Sequence, residues 1–470
     1  MLDGCVVLAI RGGVRYSPTM ADDVKAPATA NRAGEPRYPG GSYAWYVVGV
    51  LVLAYTFSFI DRQILSLLVG PIRRDLGIND TQMSPLQGLS FAVFYTLMGL
   101  PIGRMVDTRS RRGGMISGVV VWSLMTMACG LARSFWHLFA ARVGVGVGEA
   151  ALSPAAYSLL ADSFRPRRLG AAIGVYSMGI YIGAGVALIV GGKVIGAMAG
   201  ITSVDLPILG ATRPWQLVFF AVGAPGLLVA LLMFLTVREP ARRGMAKGGA
   251  SVRAVAAYVA KNRATFACHN IGYALLALIS YGAGAWIPTL LMRSYGFTPQ
   301  RAGVDYGIIG VVFGTLGVVA GGVLGDRFVA RGWTDGRMRV GLLGAVLALV
   351  PLALFPLVSD PRVALGLAAP ATFFLSLGFG AGPAAIQEIV PSEMRGQASA
   401  IYIFVTVLLG MGLGPTSIAL LTDYVFKSDL ALRYSLITVS LTVVPFAAIL
   451  FYLGLAPYRR TRSELARSIS

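Results

Sequence analysis

Charge is what this 470-residue chain has little of. Only 13% of its residues are charged, against 56% hydrophobic, where a soluble domain carries roughly 25% charged residues. So few charges cannot cover a water-facing surface on a chain this long, which excludes a soluble globular fold. Histidine and cysteine are scarce too, at two and three residues. Cys5, Cys129 and Cys268 have neither zinc-site spacing nor the even count of a disulfide framework. No Gly-x-x-x-x-Gly-Lys-Ser/Thr phosphate loop occurs, and no polar stretch is long enough to bind a nucleotide, which excludes an ATP-driven pump within one chain. A membrane-embedded enzyme would need a paired His, Asp or Glu cluster near an interface, and two histidines do not supply it. His137 and His269 read as hydrogen-bonding residues near helix ends. No cofactor and no metal is expected.

Apolar runs fill the space that charge vacates. Crossing a hydrocarbon core of roughly 30 Å takes about 20 residues of helix. Runs of that length fall near 44–70, 82–106, 113–132, 135–160, 169–193, 214–236, 265–290, 303–326, 339–358, 362–389, 397–422 and 431–456. They predict an all-α membrane protein of twelve spans, numbered 1 to 12 in chain order. Pro351, Pro356 and Pro361 interrupt the pattern around spans 9 and 10. The 59 glycines suit close helix packing in lipid.

The net charge of +19 would suit a nucleic-acid binder. Its distribution excludes that partner, because Lys and Arg gather in alternate gaps between spans. Those gaps include the N-terminus, the longest gap at 237–264, and the C-terminus. By the positive-inside rule both termini lie in the cytoplasm and the chain sits in the inner membrane. Five segments follow: a disordered N-terminus over 1–43, a six-helix bundle over 44–236, a basic linker over 237–264, a second six-helix bundle over 265–456, and a tail over 457–470. The amphipathic part of the linker is expected on the inner membrane face. The run Cys5 to Ile10 is too short for a signal-peptide core, and Met1 and Met20 are alternative starts.

The halves carry a weak repeat, as transporter halves do. Gly103-x-x-x-Asp107 closes span 2, followed by Arg109, Arg111 and Arg112. Gly322-x-x-x-Asp326-Arg327 closes span 8, followed by Arg331. Asp162-Ser-Phe-Arg165 after span 4 echoes Glu388-Ile-Val-Pro391 after span 10. The loop after span 2 resembles the signature loop of the major facilitator superfamily, with Thr108 and Ser110 departing from its usual basic residue and glycine. Arg142-Val-Gly144-Val-Gly146 resembles that superfamily's fourth-helix motif. Gly179, Gly183 and Gly185, with Gly410, Gly412, Gly414 and Pro415, look like its glycine-rich interface helices. Phe59-Ile60-Asp61-Arg62 with Gly148-Glu149-Ala150, then Pro154 and Asp162, resembles the Spinster family, whose members are associated with export of sphingosine phosphate or lysophospholipids. The resemblance implies a major facilitator fold with a central cavity between two halves. It also implies that Gly103, Asp107, Arg111, Arg112, Asp326 and Arg327 latch one conformation.

Independently of any family, Asp61, Arg62, Arg142 and Glu149 lie deep in spans 1 and 4. A charge at the bilayer centre costs at least roughly 2.5–3.5 kcal/mol, so such residues face a cavity and pair. At 1.5 Å per residue, Asp61 lies about 13 Å and Arg142 about 10 Å from the outer ends of their spans, with Glu149 about 21 Å down. Asp61 and Arg142 therefore lie near one level and are expected to pair if spans 1 and 4 are neighbours, as the resemblance to the superfamily implies. Glu149 has no evident permanent partner, which makes it the expected proton carrier and Asp61 the gating anion. Arg62 and Arg142 suit a phosphate or carboxylate head group. Spans 7 to 12 hold no comparable deep charge. Their cavity candidates are Tyr281, Trp286, Phe379, Gln387 and Tyr402, beside Tyr273, Phe373, Phe374 and Phe404. A charged half facing an aromatic half suits a proton-coupled transporter of an amphiphile. Uptake of a small organic anion and efflux of drugs fit the same charges. The expected partners are that substrate, protons and the bilayer, with the chain acting as a monomer.

Overall fold

Inside lipid, an α-helix is the structure that satisfies every backbone N–H and C=O within one segment. The computed structural model is accordingly built almost wholly of helices. It describes residues 41–470 apart from 109, 165, 199, 202, 207–209, 241–250 and 470. The expected disorder of the N-terminus therefore lies outside the described residues up to position 40, and span 1 already begins at Gly41.

Eleven stretches among the described residues are long and apolar enough to cross a membrane. Span 1 is Gly41–Leu76, span 3 Arg111–Cys129, span 4 Phe135–Ser163, span 5 Pro166–Ala197 and span 6 Pro214–Thr236. Span 7 is Arg263–Tyr295, span 8 Pro299–Ala330, span 9 Gly336–Leu354, span 10 Pro361–Glu388, span 11 Arg395–Phe426 and span 12 Leu432–Ile469. Span 2, over 80–108, completes the twelve. A π turn at Pro85–Leu89 interrupts it, and it closes at Thr108. The expected tail is helical over 457–469, because span 12 runs on through Ile469.

Polar residues start the helices where sequence chemistry asks them to. Asn79 and Gln82 form a capping box ahead of span 2, and the Ser110 and Ser134 hydroxyls cap spans 3 and 4. Between spans 5 and 6 a short antiparallel pair, β1 (Val204–Leu206) and β2 (Gly210–Thr212), sets Val204 opposite Thr212. The linker carries a helix, Val252–Lys261, whose buried Val255 and Tyr258 hydroxyl fasten it to the end of span 10, the hydroxyl donating to Ile389 O at 2.8 Å.

The packing repeats in the two halves. Span 3 lies against spans 4 and 6, as span 9 lies against spans 10 and 12; span 2 meets span 4 as span 8 meets span 10. The halves meet along spans 5 and 8 and along spans 2 and 11. Gly185 explains the first seam: a Cβ there would come within 2.7 Å of Gly307 O in span 8. Gly179 and Gly183 instead face span 1, and Gly412 faces span 2. Of the expected interface glycines, Gly185 and Gly412 thus lie between the halves, whereas Gly179 and Gly183 pack on span 1 and Gly410 and Gly414 on span 7.

Spans 1 and 7 also touch across the seam, on the side of the midplane away from the linker, here called the far face. There Asp80 in span 2 accepts from both Arg293 nitrogens, at 2.6 and 2.8 Å, and lies 3.0 Å from Arg73. Arg73 in turn donates to Asp429 at 2.8 Å. These ion pairs join the two halves at the far face.

Candidate functional site

Span 1 breaks at Ile64, and the residues before the break carry the buried charges. Ser58 and Arg62 are four apart, so both point to one neighbour. That neighbour is Glu149 of span 4. Ser58 Oγ donates to Glu149 Oε2 at 2.9 Å, and Arg62 Nε donates to the same oxygen at 2.7 Å, with Arg62 Nη2 also bound to it. The guanidinium is flanked by the rings of Phe91 at 4.2 Å, Phe59 at 4.5 Å and Tyr95 at 5.3 Å. Glu149 was expected to lack a partner, and this pair corrects that. Depth along a span is legible in sequence; the rotation that turns Arg62 toward span 4 is not.

Asp61 faces elsewhere, about 100° around the helix from its neighbour. Its Oδ2 accepts from Thr126 Oγ1 of span 3 at 3.0 Å, and its Oδ1 has no hydrogen-bond partner among the described residues. Asp61 is 2% exposed, so this carboxyl, rather than Glu149, is the buried acid without an ion pair. The expected Asp61–Arg142 carboxylate pair is replaced by a bond to main chain: Arg142 Nη1 donates to Asp61 O at 3.0 Å and Arg142 Nε to Leu86 O at 3.1 Å. The helix irregularities supply these acceptors. In the π turn the Ser90 amide reaches back to Pro85 O, which leaves Leu86 O for Arg142. Sequence reasoning missed Ser58 and Thr126; the four-residue step from Ser58 to Arg62 was the available signal for the first.

Beside this cluster, about 960 Å³ of space lies between the halves. Tyr281 and Phe379 line it, with Phe59, Gln63, Tyr181 and Ser376, and it extends to Leu352 of span 9 and Phe355 just beyond that span. A recess of about 410 Å³ adjoins it, lined by Arg62, Gln87 and Met411. Phe59, Gln63 and Tyr281 line both, so the aromatic chamber leads to the guanidinium. The other three candidates lie outside the chamber lining. Trp286 is fully buried and ties span 7 to span 11 through Pro415 O at 2.9 Å. Gln387 donates to Ser399 Oγ at 2.6 Å, and Tyr402 packs on the rings of His269 and Tyr273. His269 itself is buried and binds Gly382 O of span 10 at 3.1 Å.

The residues expected to form a latch lie at the linker face. Gly103 and Asp107 fall in the last turns of span 2, where side chains lie outside the described residues. Arg111 binds Asp162 and, at 2.8 Å, Glu239 Oε1. The Arg112 amide donates to Glu239 Oε2 at 2.8 Å, and its guanidinium binds Phe234 O. Burial alone would raise the Glu239 carboxyl; the hydrogen bonds from Arg111, the Arg112 amide and Ser110, with the Arg111 charge, outweigh it and hold the group below the usual carboxylate range. In the second half Arg337 binds Glu388 at 2.8 Å and Asp326 at 2.7 Å. Arg337, and not Arg331, is thus the counterpart of Arg111, while Arg327 is exposed.

The repeated packing and the paired Arg111–Asp162 and Arg337–Glu388 contacts describe one architecture, and residues 51–415 match the model of the Major Facilitator Superfamily. The chain belongs to the major facilitator superfamily. It is 30% identical to an MFS-type efflux pump of Mycolicibacterium smegmatis, over 94% of this chain and all of that protein. It is 27% identical to human protein spinster homolog 1 over 63% of this chain, a match that spans 57% of the human protein. A bacterial homologue of the human lysosomal transporter Spinster, solved inward-facing and unoccupied, superposes with a TM-score of 0.73 at 26% identity, over 90% of this chain and 98% of that one. The chain is a multi-pass membrane transporter of Spinster type.

Proposed function

We propose that this chain is a proton-coupled carrier of single-chain amphiphiles, working by alternating access in the inner membrane with its termini and linker in the cytoplasm. The observation that carries the proposal is the continuity of an aromatic chamber with Arg62, whose guanidinium is already shared with Glu149. An acyl chain would lie against Phe379, Tyr281 and Phe355. An anionic head group would take Arg62 from Glu149. A buried carboxylate that loses its guanidinium is strongly destabilised as an anion, so Glu149, left with Ser58, takes up a proton. Substrate and proton then favour one another's binding, because protonating Glu149 frees Arg62 just as an anionic head group does. Asp61, held by Thr126 without an ion pair, is the second proton seat. Arg142 fixes the geometry of both by binding the main chain of spans 1 and 2.

The ion pairs joining the halves at the far face and the likeness to an inward-facing relative support an inward-facing reading of this state. In the opposite state Gly103, Asp107, Arg111 and Arg112, with Asp326 and Arg327, would hold the linker face closed. A second reading, efflux of drugs, is favoured by the name of the mycobacterial relative. A thermal-stability panel of lysophospholipids against drug-like cations separates the two, since a bound ligand stabilises the native state by mass action.

The test is transport of oleoyl lysophosphatidic acid in proteoliposomes with and without an imposed pH gradient. Glu149→Gln keeps the shape and neutrality of the protonated acid. It is expected to bind the lipid yet lose gradient-driven accumulation. Full accumulation by that variant would make Glu149 structural and sink the proposal.

A further inference from the structure

Span 7 contains Pro288 inside its helix. Proline has no amide hydrogen, so Gly284 O, four residues earlier, loses the donor a helix would give it. A buried carbonyl needs a partner from somewhere. It comes from the other half of the molecule: Gln63 Nε2 donates to Gly284 O at 2.7 Å. Gln63 ends the first segment of span 1, directly before the break at Ile64. The same side chain lines both the aromatic chamber and the Arg62 recess. From Gln63 the seam continues toward the far face, with Gln87 Nε2 donating to Ala285 O at 3.3 Å and Thr289 Oγ1 to Ser66 O at 3.4 Å.

We infer that Gln63 is the positioning residue through which the occupant of the cavity releases the far face. Its carboxamide carries two N–H bonds on one nitrogen, 2.7 Å from Gly284 O and 3.4 Å from Ser66 Oγ, so a new acceptor frees Gly284 O by turning the side chain as a whole. With the cavity empty it donates to the carbonyl that Pro288 has orphaned, and spans 1 and 7 are clamped. A head-group oxygen beside Arg62 offers an alternative acceptor within reach of the same amide. Once Gln63 turns to it, Gly284 O loses its partner and spans 1 and 7 can part. The clamp rests on the geometry of spans 1 and 7 alone; its release by an amphiphile rests on the function proposed above.

Spin-label pairs at the far ends of the two halves read the clamp directly. Gln63→Leu is expected to raise the ligand-free population with an open far face roughly tenfold, the scale of one lost hydrogen bond with its acceptor left bare. Pro288→Ala returns an amide to Gly284 O within its own helix. In that background Gln63→Leu should therefore add much less, a non-additivity that a merely packed side chain would not produce. Oleoyl lysophosphatidic acid should lengthen the far-face distances in the wild type and leave those of Gln63→Leu unmoved. Unchanged ligand-free distances in Gln63→Leu, or fully additive effects of the two substitutions, overturn the inference. A wild type that ignores the lipid while Gln63→Leu still opens the far face would overturn the amphiphile reading and uphold the clamp.

Discussion

Arg142 is 1% exposed and, among the described residues, touches no carboxylate within ion-pair distance. What makes such a guanidinium tolerable is that two of its donors reach carbonyls at a π turn and a helix break. The planar fork of arginine suits two acceptors on different helices, and a lysine ammonium does not. Arg142→Met would leave Leu86 O and Asp61 O short of donors, which costs about 1–3 kcal/mol for each buried group left bare. A clear fall in melting temperature in detergent is expected, with little recovery in Arg142→Lys. Wild-type melting of Arg142→Met would show that these bonds do not hold spans 1, 2 and 4 together. The four buried charges were legible from sequence, because any charge deep in an apolar run stands out. Their pairing was not. Asp61 and Arg62 are adjacent in the chain, yet one faces Thr126 of span 3 and the other Glu149 of span 4.

At the scale of whole spans, the halves are joined at the far face by ions and along the seam of spans 5 and 8 by the absence of side chains. Asp80 has a fully buried side chain and serves Arg293 and Arg73 at once, one from each half. Asp423 braces the same corner by accepting from the Thr81 amide at 2.6 Å. Asp80→Asn would leave Arg73 and Arg293 only the half-exposed Asp429, at 2.8 and 3.8 Å, so the loss should fall below the roughly 3–5 kcal/mol of breaking a fully buried pair. The far ends of spans 2 and 7 should then part. A cysteine placed near Arg293 should react faster with a membrane-impermeant thiol reagent in Asp80→Asn than in the parent, and equal rates would dismiss Asp80 as a latch. Gly303 makes the complementary case. Its Cβ position is filled by Leu188 O of span 5, so Gly303→Leu should wedge the halves apart and reduce transport, with Gly303→Ala milder. Sequence pointed to glycines in spans 5 and 11 but not to Gly303, because close approach is a property of two helices and only one was being read.

For the molecule as a whole, two six-helix units packed in the same pattern can rock about the seam between them. Cysteines along the cavity walls should gain reactivity at one face as they lose it at the other; simultaneous opening to both sides would indicate a channel. Twelve spans, a division near the 237–264 linker and a charged first half facing an aromatic second half all follow from hydropathy and charge, because lipid penalises every misplaced polar group. The repeat was legible where its spacing was kept, at Gly103-x-x-x-Asp107 and Gly322-x-x-x-Asp326. It was illegible where spacing changed: Arg111 lies four residues beyond Asp107, its counterpart Arg337 eleven beyond Asp326. Composition alone could not tell Tyr281 and Phe379, which line the chamber, from Trp286, Gln387 and Tyr402, which do not. A span's sequence sets what it can bury, whereas its rotation against its neighbours sets what it does bury. Only the packed helices decided that Arg62 belongs to Glu149, that Arg142 belongs to the main chain, and that Gln63 meets the carbonyl Pro288 leaves free.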